Sequence, residues 1–172
     1  MPTAMETKET LQRAVQTVTL RPSHGQRTYV NTAIIESGTE CWVEEAGHTM
    51  VIDAGKGLGG GTAGPTPSMI VRSALSSCVA IGIKLWAART DVQIDHVSVL
   101  LETDTDARGI LGIADNVTPG FTNCRLKINV VSPASRAEVD HAISLSLRYS
   151  PLMAIFQDGL SISLETNLSM AA

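Results

Sequence analysis

Three cysteines are the side chains in this 172-residue chain that are best suited to chemistry, because a thiolate is both a nucleophile and an oxidisable group. They are Cys41, Cys78 and Cys124, which form no Cys-x-x-Cys pair and have no histidine at metal-ligand spacing. The sequence therefore predicts neither a disulfide framework nor a metal site, and it indicates no cofactor. Each thiol has to be judged by its own surroundings.

A glycine-rich segment precedes the longest apolar stretch of the chain. Gly59, Gly61 and Gly64 have the spacing of a dinucleotide-binding loop, but the acidic residue expected about 20 positions later is missing. Lys56 stands at the start of the segment, whereas a phosphate-cradling loop carries its lysine at the end. The segment is interpreted as a flexible crossing loop whose glycines allow another backbone to approach closely.

Charge and composition restrict the partners of the protein. The chain has 13 Lys and Arg against 17 Asp and Glu, a net charge of -4, and no basic block that would bind nucleic acid. Charged residues make up 17% of the chain, below the usual value of about 25%. A subunit interface explains such a deficit, because a partner covers surface that a monomer would expose to water. We therefore expect an obligate oligomer.

The beginning of the chain and its most apolar stretch bear on its location. Glu6, Lys8 and Glu9 precede any apolar run, so the N-terminus lacks the basic start and apolar core of a signal peptide. The most apolar stretch lies between Arg72 and Lys84 and is interpreted as too short and too rich in serine to cross about 30 Å of hydrocarbon. These features predict a cytoplasmic protein without a membrane partner.

Hydrophobic periodicity predicts a helical appendage in residues 1–27, a single domain in residues 28–166 and a tail in residues 167–172. The appendage contains an amphipathic helix over residues 6–20. The domain begins with an antiparallel meander of short strands at residues 29–35, 40–45 and 49–52. Thr66 as N-cap and Pro67 at the first helical position begin a helix that runs to about Arg89. This helix is apolar around most of its circumference and should be buried on nearly all sides.

The second half of the domain alternates in the same way between strand and helix patterns. Half-buried strands are predicted at residues 96–103 and 125–131, separated by a turn, a broken strand and a second turn over residues 104–119. The capping box of Ser135 and Glu138 begins a second helix, which Pro151 interrupts or kinks before it reaches about Gln157. The alternation of apolar and polar residues over residues 160–164 predicts a final strand with one solvent-exposed face. The order of elements indicates an α+β domain with two helices on an antiparallel sheet.

Several motifs around Cys78, taken in order, resemble those of the OsmC/Ohr superfamily, the osmotically induced and organic hydroperoxide resistance proteins. No single motif is specific, but the ordered set is, and it extends over roughly residues 28–164. The segments that carry the resemblance are Leu58-Gly59-Gly60, Gly64-Pro65-Thr66-Pro67, Ala74-Leu75-Ser76-Ser77-Cys78, Gly120-Phe121, Tyr149-Ser150-Pro151 and the alternating run that ends at Leu164.

The resemblance implies both a fold and an activity. The fold is an intertwined homodimer with antiparallel sheets, a long buried central helix, a second C-terminal helix and two active sites at the subunit interface. The activity is that of a stress protein in which a thiolate on the central helix reduces organic hydroperoxides. That thiol then forms a disulfide with a second cysteine that precedes a proline, and a dithiol donor resets the pair. Cys78 matches the first thiol.

The chain departs from the family pattern at the positions that support this thiol. Ser150 stands before Pro151 where the family has the second cysteine, and a hydroxyl cannot form a disulfide. Ser68 occupies the position of a glutamate that helps an arginine to stabilise the thiolate, and no arginine lies between Arg27 and Arg72. The resemblance therefore implies a degenerate active site.

A reactive thiol in apolar surroundings needs a nearby cation, because desolvation favours the neutral form. The candidate cations, which would reach Cys78 from a partner protomer, are Arg27, Arg72 and Arg108. Cys124 shares the strand parity of Leu126 and Ile128 and is expected to face inward, where it is an alternative resolving thiol, whereas Cys41 shares the face of Val43.

Two functional hypotheses remain open. In the first, the protein is a one-cysteine thiol peroxidase, in which an organic hydroperoxide oxidises Cys78 to a sulfenic acid and an external thiol reductant resets it. In the second, the protein is a non-catalytic homodimer that binds an apolar small molecule at its interface. The missing arginine, glutamate and second cysteine favour the second hypothesis, and the retained Cys78 favours the first.

Overall fold

The computed structural model describes residues 3–168, which form five helices and five strands in a mixed α+β arrangement. Two short 3-10 turns, Pro22–Gly25 and Lys56–Leu58, lie in the connections. In chain order the elements are α1 (Ala4–Leu20), β1 (Thr32–Ile34), β2 (Cys41–Glu45), β3 (His48–Ile52), α2 (Pro67–Arg89), β4 (His96–Thr105), α3 (Ala107–Ile110), β5 (Phe121–Val131), α4 (Arg136–Arg148) and α5 (Pro151–Asp158).

Helix α1 begins with a capping box that confirms the predicted N-terminal helix. The Glu6 N–H donates to the Thr3 hydroxyl at 3.2 Å, and the Thr3 N–H donates to the Glu6 carboxylate at 2.7 Å. The helix packs against α2, and Lys8 forms a 2.5 Å ion pair with Asp91, just beyond the end of α2. The predicted appendage is therefore in contact with the long helix of the domain.

Strands β1, β2 and β3 form the predicted antiparallel meander, in the order β1-β2-β3. The first strand is shorter than expected, because β2 ends at Glu45, opposite Asn31, and residues before Asn31 have no strand beside them to pair with. Val43 is the buried residue of the sheet, and the rest of the meander is largely exposed in this protomer.

Helix α2 has the predicted boundaries, with Thr66 as its N-cap and Pro67 in its first turn. The burial of α2 is less extensive than the predicted burial on nearly all sides. Only one stripe is fully buried, Leu75, Val79, Ile83 and Ala87, and this stripe packs on α4 and β4. Apolar residues on the other faces are exposed, among them Met69, Val71, Ile81 and Leu85. A single chain supplies only enough secondary structure to cover one side of this helix.

In length and composition, α2 could also cross a membrane: it has 23 residues, and the mean hydropathy of its most apolar window is 1.4. The helix reaches this length because it extends on both sides of the segment between Arg72 and Lys84. Core helices of soluble proteins pass the same test, so the finding is weak support for a membrane span. The buried stripe of α2 packs against other elements of the chain.

Strands β4 and β5 pair as an antiparallel hairpin, with Leu101 opposite Leu126 and Val99 opposite Ile128. Their apolar faces pack on the buried stripe of α2, as the alternation predicted. The connection between them contains the single helical turn α3 and no strand, so the predicted broken strand is wrong. Asp106 caps α3, and its hydrogen bonds with Arg108 lower the pKa of the Asp106 carboxyl to about 2.

Helices α4 and α5 confirm the predicted capping box and proline interruption. The Glu138 N–H donates to the Ser135 hydroxyl and the Ser135 N–H donates to the Glu138 carboxylate, which begins α4. Helix α4 ends at Arg148, and α5 begins at Pro151 with Ser150 as its N-cap. Proline disfavours helical geometry in the residue before it, so the chain breaks at Ser150 and starts a new helix.

The strand predicted at residues 160–164 is not formed. Residues 159–168 join no ladder, and Leu160, Ile162 and Leu164 are all strongly exposed, with Ile162 at 88%. An alternating pattern describes which face a strand would bury, but the strand forms only beside a partner strand. Residues 1, 2 and 169–172, including most of the predicted tail, lie outside the described residues.

Candidate functional site

The site centres on Cys78, in the middle of α2, and Ser150, at the junction of α4 and α5. The Cys78 Sγ lies 3.3 Å from the Ser150 Oγ, a hydrogen-bond distance for sulfur. The fold thus brings together the two residues that the sequence resemblance predicts to stand at the reacting and resolving positions, although 72 residues separate them in the chain. Cys78 is half-buried, and Ser150 is only 6% exposed.

Ser150 is held in place by its role as a helix cap. Its extended backbone, with φ -79° and ψ 120°, is the conformation that a residue before proline prefers. Its Oγ accepts a hydrogen bond from the Met153 N–H at 3.2 Å, which satisfies a free backbone donor of the first turn of α5. The cap fixes the position of the hydroxyl beside Cys78.

The approach of α2 to α4 sets the distance between Cys78 and Ser150. Gly82 and Ser146 lie one helical turn from the pair, and a Cβ added to Gly82 would be 2.4 Å from the Ser146 Oγ. The buried Ser146 hydroxyl donates to the Val79 carbonyl at 3.1 Å. Small residues at these two positions therefore let the helices come close beside the thiol. Sequence reasoning missed both, although their offsets of four residues from Cys78 and Ser150 are visible in the chain.

An aromatic contact continues the same interface towards the end of α2. The rings of Trp86 and Tyr149 are stacked with centroids 5.1 Å apart, and the Arg89 guanidinium lies 4.6 Å from the centre of the Trp86 ring. Tyr149 directly precedes Ser150, so this stacking restrains the residue next to the cap. The contacts that hold the junction between α4 and α5 against α2 therefore extend from Cys78 towards the C-terminal end of α2.

The predicted cations do not contact the thiol within this protomer. Among residues 3–168, Ser150 is the only side chain that hydrogen-bonds with Cys78. Arg108 is bound to Asp106 at 2.5 Å, and Arg27 is exposed in the connection before β1. Arg72 lies six residues before Cys78, about 9 Å along the helix axis. Ser68, in the first turn of α2, is about 15 Å away along the same axis.

The other two cysteines lie elsewhere, and all three thiols are free. Cys41 is half-buried on β2, on the face of Val43, as expected. Cys124 is exposed, so the expectation that it faces inward is wrong. On β5, Leu126 is the residue nearest to Cys124 that packs on the core, and Cys124 lies two residues closer to the start of the strand.

Asp53 organises the glycine-rich segment, and sequence reasoning missed this role. The carboxylate is buried, at 2% exposure, and accepts hydrogen bonds from the Thr39 hydroxyl and the Ala54 and Ala63 N–H groups at 2.7, 2.7 and 3.1 Å. These bonds, that from Thr39 foremost, lower the pKa of the Asp53 carboxyl. The sequence signal that could have identified Asp53 is its position between a strand and a run of glycines. The carboxylate ties both ends of the segment together, because Ala54 precedes the run of glycines and Ala63 lies near its end.

The glycines of this segment allow close backbone crossing, as predicted. A Cβ added to Gly60 would lie 1.7 Å from the Ala54 carbonyl oxygen, and one added to Gly64 would lie 2.0 Å from the Val51 carbonyl oxygen. Beside the segment is a groove of about 330 Å³ that Glu36, Glu40 and Asp53 line with like charge. Within residues 3–168 no group of three or more His, Cys, Asp or Glu side chains is arranged to hold a metal ion.

Comparison with known proteins agrees with this architecture. The family model described as OsmC-like protein matches residues 59–165, which is more than half of the chain and includes both Cys78 and Ser150. A search of curated protein sequences found no significant match.

Solved structures share the fold at low sequence identity. An OsmC-like protein from Mycoplasma pneumoniae is 18% identical, with a TM-score of 0.65 over 77% of this chain and 89% of that chain. An organic hydroperoxide resistance protein from Elizabethkingia anophelis is 16% identical, with a TM-score of 0.57 over 77% and 90% of the two chains. The organic hydroperoxide resistance protein OhrB of Bacillus subtilis is 14% identical, with a TM-score of 0.52 over 77% and 92%.

Three findings lead to one conclusion: the long helix that carries Cys78, the antiparallel sheets and the family match over residues 59–165. This chain belongs to the OsmC-like protein family.

Proposed function

We propose that the protein is a one-cysteine thiol peroxidase that reduces organic hydroperoxides. The observation that carries the proposal is the 3.3 Å contact between Cys78 and Ser150, because it sets a thiol beside a hydroxyl at the two redox positions of the superfamily. The chain retains the nucleophile and lacks the internal thiol that would resolve it. Neighbours of the same fold that are named organic hydroperoxide resistance proteins support the choice of substrate class.

The reaction can be written with the groups at the site. The Cys78 thiolate attacks the outer oxygen of the hydroperoxide, the O–O bond breaks, and the alkoxide takes a proton and leaves as an alcohol. Cys78 becomes a sulfenic acid. An external thiol then forms a mixed disulfide with Cys78 and releases water, and a second thiol restores Cys78 while the two donor molecules leave as a disulfide. A reducing cytoplasm would supply such thiols.

We propose that the working unit is a homodimer, in which a second copy covers the open faces of the first. Helix α2 leaves Met69, Val71 and Ile81 exposed, and the alternating residues 160–164 have no partner strand. Exposed apolar surface of this extent is typical of an interface. The low charged fraction of the chain agrees with it. The dimer would also give Arg27, Arg72 or Arg108 of the second copy access to Cys78.

Replacing Cys78 with serine tests the peroxidase proposal. We expect the rate of cumene hydroperoxide reduction, measured by stopped flow with excess monothiol, to fall at least about 1000-fold, since the variant lacks the nucleophile. The matched control is Cys124→Ser, which removes an exposed thiol outside the site and should keep the wild-type rate. Equal and negligible rates for wild type and Cys78→Ser would end the proposal.

A second candidate function is the binding of an apolar small molecule at the dimer interface. The favouring observation is that, among residues 3–168, Cys78 has a neutral hydroxyl and no cation as its hydrogen-bond partner. Native mass spectrometry of the purified protein tests this candidate together with the dimer. We expect twice the mass of the 18.2 kDa chain. A retained apolar ligand favours binding, no ligand counts against it, and a monomer contradicts the proposed dimer.

The pH dependence of Cys78 alkylation separates the two candidate functions. Only the thiolate reacts with an alkylating reagent, so the profile reports when the thiol ionises. A half-maximal rate below about pH 7 supports peroxidase chemistry, and one above about pH 9 supports a silent thiol and the binding function.

A further inference from the structure

Which of Cys78 and Ser150 donates the hydrogen bond between them depends on whether the sulfur is charged. A serine hydroxyl has one proton to donate and two lone pairs that accept. One lone pair of Ser150 already accepts the Met153 N–H at 3.2 Å. When Cys78 is a thiol, its proton can fill the other lone pair. When Cys78 is a thiolate, it has no proton, and the 3.3 Å contact is a hydrogen bond only if the Ser150 hydroxyl donates.

We infer that Ser150 is a positioning residue whose hydroxyl donates a hydrogen bond to the Cys78 thiolate, so that it stabilises the charge that the peroxidase reaction needs. The inference rests on the proposed function for its catalytic meaning. The position that matches the resolving cysteine has thereby kept contact with the reacting sulfur while its contribution has changed from redox chemistry to electrostatics.

Three features of the site strengthen this hydrogen bond. The acceptor is ionised, and hydrogen bonds to ionised groups are about twice as strong as neutral ones. Ser150 is buried, so water competes little for its hydroxyl. The same oxygen accepts an N–H at the start of α5, where the unpaired backbone donors carry partial positive charge, and this polarises the hydroxyl towards donation.

The hydroxyl is also held in position before any charge develops. The cap to Met153 and the adjacent Pro151 restrain Ser150 from one side. The close contact of Gly82 with Ser146 restrains the helix interface one turn away. A donor that is already oriented does not have to be reorganised when the thiol ionises, which is the property that makes a fixed dipole effective in a site.

A purely structural role for Ser150, as the cap of α5 alone, predicts a different behaviour. Loss of a cap lowers the stability of the fold, and it leaves the ionisation of a cysteine on another helix unchanged. Glycine separates the two roles, because it is a tolerable N-cap that costs only a few tenths of a kcal/mol relative to serine, whereas alanine loses the cap. Neither glycine nor alanine can donate to Cys78.

The experiment measures the pH dependence of Cys78 alkylation by iodoacetamide in a Cys41→Ser, Cys124→Ser background. We expect Ser150→Gly and Ser150→Ala to move the half-maximal rate upward by about one pH unit, a tenfold loss of rate on the acid side. Ser150→Thr keeps the hydroxyl and should keep the wild-type profile. Ser135→Ala removes the equivalent serine cap of α4 and should also leave the profile unchanged. Circular dichroism confirms that each variant is folded.

The outcomes distinguish this inference from the peroxidase proposal. If the profiles of Ser150→Gly and Ser150→Ala coincide with that of the wild type, the hydroxyl does not stabilise the thiolate and the inference is wrong, whatever the peroxidase activity. If both profiles shift while wild type reduces cumene hydroperoxide no faster than Cys78→Ser, the hydrogen bond is confirmed and the peroxidase proposal fails. A shift in Ser150→Ala with none in Ser150→Gly assigns the effect to the lost cap and also overturns the inference.

Discussion

Replacing Ser150 with cysteine is expected to give a protein that forms a disulfide between positions 78 and 150 when it is treated with one equivalent of hydroperoxide. Oxidation of Cys78 to the sulfenic acid places an electrophilic sulfur next to the new thiol, which attacks it and releases water. The variant should then depend on a dithiol such as dithiothreitol for turnover, because the donor must reduce an internal disulfide. Wild type, which lacks this disulfide, should use a monothiol.

The geometry of the site supports this result. A disulfide needs an S–S distance of about 2.05 Å and Cα atoms within about 7 Å. The Cys78 Sγ and the Ser150 Oγ are already 3.3 Å apart, so the two side chains meet, and a sulfur in place of the Ser150 oxygen has to approach by only about 1.3 Å to reach bonding distance. The buried, capped position of Ser150 keeps the new thiol facing Cys78.

The disulfide is measured by mass spectrometry of non-reduced peptides and by counting free thiols, in a background without Cys41 and Cys124. Ser135→Cys is the matched control, since it introduces the same thiol at the N-cap of α4, about 20 Å along that helix from its C-terminal end. That variant should keep Cys78 free of an internal disulfide. If Cys78 and the introduced thiol both remain free after oxidation of the Ser150→Cys variant, the two positions do not meet in solution as the structure describes.

Replacing Gly64 with alanine is expected to destabilise the protein by about 3 kcal/mol, the upper part of the usual range for overpacking. The added Cβ would lie 2.0 Å from the Val51 carbonyl oxygen and 2.7 Å from the Val51 carbonyl carbon, both backbone atoms of β3. No rotation of a side chain relieves this clash. The strand or the crossing segment has to move, and either movement disturbs the hydrogen bond from the Asp53 N–H to the Pro65 carbonyl at 3.1 Å.

Gly57→Ala provides the control for this substitution, because a Cβ at Gly57 meets nothing within 4 Å and the backbone there is not left-handed. Its effect should stay within about 0.5 kcal/mol, as for most surface substitutions. Urea unfolding of both variants at one fixed protein concentration measures the difference, since the stability of an oligomer depends on concentration. Equal midpoints for the two variants would show that the segment does not cross β3 as closely as described.

Local signals in the sequence predicted the helix boundaries well. Thr66 and Pro67 mark the start of α2, and Ser135 with Glu138 marks the start of α4, as the structure shows. These signals are hydrogen bonds between a side chain and backbone groups two or three residues away, so they do not depend on the remainder of the fold. The inward faces of β4 and β5 were accessible for a related reason, since alternation indicates which face of a strand is buried.

Three of the predictions that failed concerned contacts with distant parts of the chain. Cys124 has the parity of an inward residue, but whether a helix covers that part of β5 is decided elsewhere in the chain. Residues 160–164 have the pattern of a strand and no strand to pair with. The apolar composition of α2 indicates that most of its surface requires burial, whereas one protomer buries only a single stripe of it. A sequence pattern indicates that a surface must be buried, but it does not identify the element that buries it.

By itself, the sequence determined that this protein is an α+β domain of the OsmC-like family, and it predicted Cys78 as the reactive thiol and Ser150 at the second position. Only the tertiary structure decided that Cys78 and Ser150 touch, that Gly82 and Ser146 let their helices approach, and that the Ser150 oxygen also caps α5. Residue types and local spacing can be read directly from the sequence, whereas a hydrogen bond between positions 72 residues apart depends on how two helices pack.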